Sequence, residues 1–249
     1  SNGAVARVCE YRKIGYLCYE GFNLYGTEGS FVEGPAGCHW VDKKQATPLT
    51  VEQILWGAPI YRGLRKLFAC PPSCGAASVV VCNGAFAARH GIRGDIRLIG
   101  QGVCSDREEF FHGDPQDVMF RALSRTAALQ AYESAGVGPQ DIDVIELHDC
   151  FTSNEIITYS ALGLCASEDM EKFVLDGDNT YGGKVVVNPS GGLLAKGHPL
   201  GATGLAQITE LVWQLRGEAG SRQVEGARTA LQHDGGLGSG GFVNILQGG

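Results

Sequence analysis

From Ile96 onward the chain switches repeatedly between short apolar runs of strand character and amphipathic stretches of helical period. That alternation restricts its fold more than any other property. Ile96 to Val103 reads as a strand, Asp117 to Ala135 as an amphipathic helix closed by Gly136, and Ile142 to Leu147 as a buried strand. Thr152-Ser153-Asn154-Glu155 has the form of a capping box, so a helix is expected from Ser153 toward Leu162, stopping at Gly163. Val185 to Val187 reads as a strand, Gly201 to Leu215 as a helix, and Thr229 to His233 and Phe242 to Leu246 as two strands around a glycine loop. Strands separated by helices predict an α/β fold, a layered α-β-α arrangement whose mainly parallel or mixed sheet is covered on both faces.

The upstream third is less regular. Residues 1–40 scatter Tyr11, Tyr16, Tyr19, Phe22, Tyr25, Phe31 and Trp40 among seven glycines with neither period; they are assigned no element and expected to be irregular. Thr50 to Trp56 reads as a capped helical turn closed by Gly57 and Pro59, and a short strand is expected at about Leu64 to Cys70. The small-residue segment from Gly75 to Gly91 suits a helix packed closely on a sheet.

Composition removes several classes. Glycine supplies 37 of 249 residues without a three-residue period, which excludes collagen, and 18 of them fall between Gly177 and Gly249, where backbone must turn or approach something closely. A net charge of −7 with scattered basic residues disfavours nucleic acid as a partner. The best apolar run, Ala76 to Cys82, stops at Asn83, short of the roughly 18 residues a bilayer span needs. Nine irregularly spaced cysteines suggest a reducing compartment rather than a disulfide framework. No zinc pattern emerges from Cys9, Cys18, Cys38 and His39, or from the lone Cys70/Cys74 pair, so no metal is expected. The opening Ser1-Asn2-Gly3, without methionine or leader pattern, reads as a fragment or a trimmed chain.

Three constellations could bear chemistry. Glu146-Leu147-His148-Asp149-Cys150-Phe151 places a histidine and a cysteine where an apolar strand gives way to a helix, the usual locus of α/β active sites. His148 and Cys150 could share one cavity, or form a buried structural thiol beside a satisfied histidine. Gly197-His198-Pro199-Leu200-Gly201-Ala202-Thr203-Gly204 holds His198 at a helix mouth, where a neutral imidazole serves as base or oxyanion donor; a glycine packing motif with an incidental histidine is the alternative. His233-Asp234-Gly235-Gly236-Leu237-Gly238-Ser239-Gly240-Gly241 could bring backbone N–H groups to a ligand, although a plain wide hairpin fits it better. No helix follows it, so it is not a dinucleotide fingerprint.

Taken in order, HDCFTSNEIITYSALGLC, GDNTYGGK, NPSGGLLAKGHPLGATGLAQ and WQLRGEAGSRQV resemble the thiolase superfamily, specifically the 3-ketoacyl-CoA thiolases associated with sterol carrier protein, almost continuously from Leu64 to Leu246. The resemblance implies a thiolase-like C-terminal domain over 96–249, with 41–95 as the tail of the N-terminal half and 1–40 unassigned. It implies acyl transfer on acyl-CoA or 3-ketoacyl-CoA thioesters in lipid metabolism, with a coenzyme A thioester as substrate and no other cofactor. By that resemblance His198 activates a nucleophilic cysteine and helps bind the thioester oxygen, His148 supports the same oxygen through water, and Cys150 transfers the proton at the substrate α-carbon. Many thiolases instead carry their acid/base cysteine at the C-terminal glycine loop, where this chain has Gln232-His233-Asp234.

The family's nucleophile belongs to its N-terminal half and is expected to be missing here, leaving the chain inactive alone. Cys74 imitates a nucleophile before Gly75-Ala76-Ala77, but falls where the family has the acidic residue of Ser-Asp-Gly-Ala-Ala. The complete family member is a homodimer joined through sheets of the other half, which argues against ready dimerisation of this piece. Family analogy gives a peroxisomal location, with cytoplasm and mitochondrion open, and Leu246-Gln247-Gly248-Gly249 is not a peroxisomal Ser-Lys-Leu ending. Two other readings stand beside this one: a non-catalytic acyl-CoA or lipid-binding fragment or assembly partner of a complete thiolase, and an independent hydrolase built on Cys150 and His198.

Overall fold

The computed structural model describes residues 50–249, except 72, 119 and 237–239, together with the strand backbone at 23–25, 29–34 and 37–42. Those three strands, β1 (Asn23–Tyr25), β2 (Gly29–Gly34) and β3 (Gly37–Asp42), pair antiparallel in that order. Strands therefore occur inside the stretch expected to be irregular. They are too short for a period to register, although Phe31, Val32, Trp40 and Val41 are strand-favouring types.

The capped turn at Thr50 is present as α1 (Val51–Leu55): Thr50 Oγ1 accepts from the Gln53 amide at 3.2 Å, and Gln53 Oε1 accepts from the Thr50 amide at 2.7 Å. The strand expected up to Cys70 is shorter. After β4 (Pro59–Tyr61) and β5 (Leu64–Arg65), residues 66–68 form a 3-10 turn, and Ala69 makes one isolated antiparallel bridge to Phe151. The helix expected between Gly75 and Gly91 is confined to α2 (Gly84–Arg89), capped by Asn83 Oδ1 on the Phe86 amide at 2.8 Å. The β-branched run Val79-Val80-Val81 explains the late start, since such residues lose side-chain freedom in a helix. Val80 and Val81 are almost fully exposed.

The remaining elements are β6 (Ile96–Cys104), α3 (Pro115–Val118), α4 (Arg121–Ala135), β7 (Val144–Glu146), α5 (Thr152–Ala161), α6 (Met170–Leu175), β8 (Val186–Val187), α7 (Gly192–Lys196), α8 (Thr203–Arg216), β9 (Thr229–Gly236) and β10 (Gly240–Gly248). The helix read as continuous from Asp117 is interrupted at Phe120, whose φ is 72°. Its ring is drawn instead against Gly235 of β9 and into the core.

Five strands form one mixed sheet in the order β6-β10-β9-β7-β8. β10 is antiparallel to β6 and β9, whereas β7 is parallel to β9 and β8. Successive residues along a strand point to opposite faces, and the core divides accordingly. Ile145, Leu231, Val243 and Ile245 join Leu123 and Ala127 of α4, while Val144, Ala230 and Leu246 join Leu211 of α8. The layered α/β architecture read from the alternation is thus the observed one. Among the described residues, no helix is long and apolar enough to cross a membrane.

The α4 helix lies on β6 with almost no side chain between them. A Cβ added at Gly100 would stand 2.4 Å from the Ala131 carbonyl oxygen, and one at Gly102 only 1.8 Å from that of Ala127. Both obstacles are backbone, so relief requires shifting the helix. Gly102→Ala should therefore destabilise the protein by about 3 kcal/mol, toward the upper end for overpacking. Gly84→Ala, whose Cβ meets nothing within 4 Å, should cost nothing. Urea unfolding midpoints of the two variants check this.

Candidate active site

The parallel register of β7 and β9 sets Val144 beside Ala230, Ile145 beside Leu231 and Glu146 beside Gln232. Carried two residues past the end of β7, it brings His148 to Asp234, and His148 Nδ1 is hydrogen-bonded to Asp234 Oδ1. The pair lies at the carboxyl ends of parallel strands, where α/β sheets gather their ligands. Gly204, near the start of α8, makes room for it: a Cβ there would stand 2.8 Å from Asp234 Oδ2.

Two further imidazoles flank His148. The main-chain N–H of His148 donates to His233 Nδ1 at 3.4 Å, so the His233 ring proton resides on Nε2, 2.8 Å from Ser124 Oγ. Burial, and secondarily the charge on His148, press His233 down to about 3, so it is a neutral strut. On the other side, the ring centroids of His148 and His198 lie 4.8 Å apart at 87°. Thr203 Oγ1 donates to the Pro199 carbonyl at 3.1 Å and must therefore accept from His198 Nδ1, at 2.7 Å. The lone pair of His198 Nε2 is then left as a base.

Electrostatics divides the two outer rings into different roles. Burial opposes a charge on His148, but the hydrogen bonds to Asp234 and Cys150 outweigh it and lift the imidazolium to about 9. For His198, burial and the neighbouring His148 charge act together and lower its pKa. His148 is a charged donor at neutral pH and His198 a neutral acceptor. Cys150, half-buried and free, completes the group through its hydrogen bond to His148.

The surrounding loops are held by buried carboxylates. Glu146, with no exposure, accepts from the Ser190 amide at 3.0 Å, from Ser190 Oγ at 2.7 Å and from Lys196 Nζ at 3.3 Å. Its pKa is raised by burial, with the Lys196 charge as a partial offset. Asp149 accepts the first amides of α7, from Leu193 at 2.7 Å and Leu194 at 3.2 Å. Burial raises its pKa too, and these amides work against the rise. Gly192, at φ 59°, lets α7 approach so closely that a Cβ would stand 2.2 Å from Asp149 Oδ2.

Residues 73–75 lie against the His198 loop. A Cβ on Gly197 would be 2.4 Å from Ser73 Oγ, and one on Gly75 would be 2.9 Å from Pro199 Cγ, so Cys74 falls between two contacts with that loop. A cavity of about 260 Å³ opens beside Asp234, lined by Leu200, Gly204, Gln232, Phe242 and Asn244 among others. A larger one, about 340 Å³, is lined by α4 and the end of α5 and contains none of the histidines. No group of three His, Cys, Asp or Glu among the described residues is placed to hold a metal ion.

The structure thus brings together His148, Cys150 and His198, the three residues singled out in the sequence. It adds Asp234, Thr203, Asp149 and the Glu146–Ser190–Lys196 cluster. Asp234 had no assigned role because its loop reads locally as a hairpin, and β9 and β10 do pair up to Gly236 and Gly240. Only the register between β7 and β9 reveals its partner. The expected capping box at Thr152 does not form either, since Phe151 is the N-cap of α5 and makes no side-chain capping bond. Its residues bond elsewhere instead: Asn154 Nδ2 donates to the His148 carbonyl at 2.6 Å, and Glu155 accepts from the hydroxyl of the core residue Tyr159 at 2.6 Å.

The raised His148 pKa carries a stability consequence of definite sign. A group whose folded pKa of about 9 exceeds its ordinary value near 6.5 stabilises the fold fully below that ordinary value and loses the contribution as pH rises through 9. Asp234→Asn should therefore cost about 2–3 kcal/mol at pH 6, and the gap to wild type should close by pH 9.5. Chemical denaturation of both proteins at the two pH values measures it; a gap independent of pH would contradict the pairing.

The family of "Thiolase C-terminal domain-like" proteins matches residues 107–248. Sterol carrier protein 2 of Rattus norvegicus is 44% identical over 239 residues, covering 92% of this chain and 43% of that protein. The benzoylsuccinyl-CoA thiolase subunit BbsB of Thauera aromatica is 38% identical over 186 residues, 74% of this chain and 48% of that one. Among solved structures, human mitochondrial 3-ketoacyl-CoA thiolase superposes with a TM-score of 0.60 at 19% identity, covering 92% of this chain and 49% of the other, a likeness of fold. The chain spans less than half the length of these curated relatives. Because the family match takes in β7, the His198 loop and the β9–β10 pair, the very segments that assemble the site, the chain belongs to the thiolase superfamily, among the proteins related to sterol carrier protein 2.

Proposed function

We propose that this chain supplies the oxyanion-binding and proton-transfer portion of a thiolase-type acyltransferase acting on 3-ketoacyl-CoA thioesters in lipid metabolism, with the nucleophilic cysteine contributed from outside these 249 residues. In cleavage, the nucleophile attacks the 3-keto carbon, the bond between C2 and C3 breaks, and its electron pair passes to C2, forming the enolate of an acyl-CoA. Cys150 gives its proton to C2. His148, as the charged donor, supports the thioester oxygen on which the enolate charge develops, and His198 Nε2 takes the proton of the attacking thiol. After acyl transfer to coenzyme A, the protons return by the same groups.

One observation bears most of the weight: two imidazoles 4.8 Å apart have opposite protonation preferences, His148 upward and His198 downward. Titratable neighbours pushed apart in this way mark acid and base assignments. Kinship with a protein named benzoylsuccinyl-CoA thiolase supports a coenzyme A thioester as the substrate class.

The experiment follows the partial reaction that needs no nucleophile. In D₂O the chain should exchange the C2 protons of acetoacetyl-CoA above the spontaneous rate, and Cys150→Ala should reduce that catalysed exchange by on the order of 100-fold. With added coenzyme A the chain should show no thiolysis. Thiolysis abolished by Cys74→Ala would overturn the reading and make Cys74 the nucleophile. Binding of acyl-CoA by calorimetry without exchange would overturn it in favour of a non-catalytic acyl-CoA-binding role.

A further inference from the structure

Behind the catalytic group lies a second cysteine that the acyl-transfer reading does not use. Ala69 and Phe151 form an antiparallel bridge, and the Cys70 amide donates to the Cys150 carbonyl at 2.9 Å. One step along such a pairing in each direction sets Cys70 directly opposite Cys150. Side chains opposite one another in antiparallel pairing leave the same face, with Cα atoms about 5.5 Å apart in a hydrogen-bonded pair. That separation falls within the window of about 4.4–6.8 Å that a disulfide spans. Both cysteines are free and only partly buried.

We propose that Cys70 and Cys150 are a reversible redox pair, closed to a disulfide by a hydroperoxide and reopened by a dithiol. Cys150 loses its proton to solvent, the adjoining His148 imidazolium steadying the thiolate, and its sulfur attacks the O–O bond, giving a sulfenic acid with loss of one water (or alcohol). The Cys70 thiol then attacks that sulfur as its proton passes to the sulfenic oxygen, which leaves as water. Two thiols and one hydrogen peroxide thus become one disulfide and two waters. The order of events follows from the surroundings. Burial, then the nearby Cys150 and Asp149, raise the Cys70 thiol to about 11, so Cys70 is protonated at neutral pH and suited to the slower, resolving step. The backbone bridge at Ala69–Phe151 and the Cys70–Cys150 hydrogen bond already hold the pairing geometry, so closure needs no refolding. Since Cys150 is the proposed proton carrier, the closed form would lack that function; this consequence rests on the proposed acyl-transfer role, whereas the bond itself does not.

The test reads the bond directly. The 249-residue chain is treated with hydrogen peroxide, blocked with N-ethylmaleimide, digested with trypsin and analysed by fragmentation mass spectrometry. Trypsin leaves Cys70, Cys74 and Cys82 together in peptide 67–89, and Cys150 and Cys165 in peptide 126–172, so sequencing the linked pair is required. The expected product links Cys70 to Cys150, with loss of two hydrogens and full reversal by dithiothreitol. In Cys70→Ser the crosslink should vanish, and Cys150 should accumulate as a dimedone-reactive sulfenic acid. Cys74→Ser should crosslink as the parent does. A bond from Cys150 to Cys74 or Cys165, or oxidation of Cys150 beyond sulfenic acid in the parent with no crosslink, would overturn the proposal. Either result would leave the proton-exchange experiment on acetoacetyl-CoA unaffected.

Discussion

The buried Glu146 carboxylate is the point from which the site is laid out. It sits at the end of β7 without exposure, and burying an unpaired charge costs several kcal/mol, so the fold must bring it partners. Of those partners Ser190 stands just before α7 and Lys196 is its last residue, two residues before His198. Two residues past Leu147, Asp149 grips the start of α7 through the Leu193 and Leu194 amides. The loop carrying His198 is thus tied at both ends of α7 to the strand end carrying His148. The 4.8 Å between the two rings follows from satisfying two carboxylates whose hydrogen bonds go to α7 and the residues flanking it.

A second constraint decides what those rings do. Three histidines crowd one region, and three imidazolium charges could not coexist there. The crowd is resolved by giving a single carboxylate, Asp234, to one of them. His148 keeps the proton, and that proton in turn disfavours charge on His198 and His233. The consequences differ because the partners differ. His233 has Ser124 on one nitrogen and the His148 amide on the other, leaving no free valence for chemistry. His198 is bonded through Nδ1 to Thr203, which orients its other nitrogen as a base. A charged donor, a neutral acceptor and a neutral strut therefore emerge from one side-chain type by the choice of neighbour.

Glycine makes the required approaches sterically feasible. At Gly204 the α8 backbone clears Asp234, at Gly192 the α7 backbone clears Asp149, and at Gly197 the loop clears Ser73. Each clearance is below 3 Å for a hypothetical Cβ, so any side chain at these positions would displace a functional carboxylate or the neighbouring chain. Gly192 and Gly197 also occupy positive φ, which adds backbone strain to the steric penalty for replacement. Gly192, Gly197 and Gly204 thus belong to the site, whereas Gly100 and Gly102 serve the separate purpose of seating α4.

What the sequence disclosed and what it withheld follow from the range over which each signal acts. Alternating periods along β6, β7, α4, α8, β9 and β10 are local, and they were sufficient for the layered mixed sheet. The strings around His148, Cys150 and His198 are local too, and their residues do converge. Signals failed where tertiary packing overrides the neighbourhood. Phe120 leaves the helix because its ring is drawn to Gly235, and Asn154 and Glu155 forgo the cap because the His148 carbonyl and Tyr159 hydroxyl compete for them. Asp234 was invisible as the partner of His148 for a related reason, because 86 residues separate them and the relation exists only through strand register. Cys70 and Cys150 stand in the same position, 80 residues apart in sequence yet set opposite each other by a single bridge. Composition and period announce which elements form; which side chains meet is decided by register, and register becomes legible only when both strands are in place.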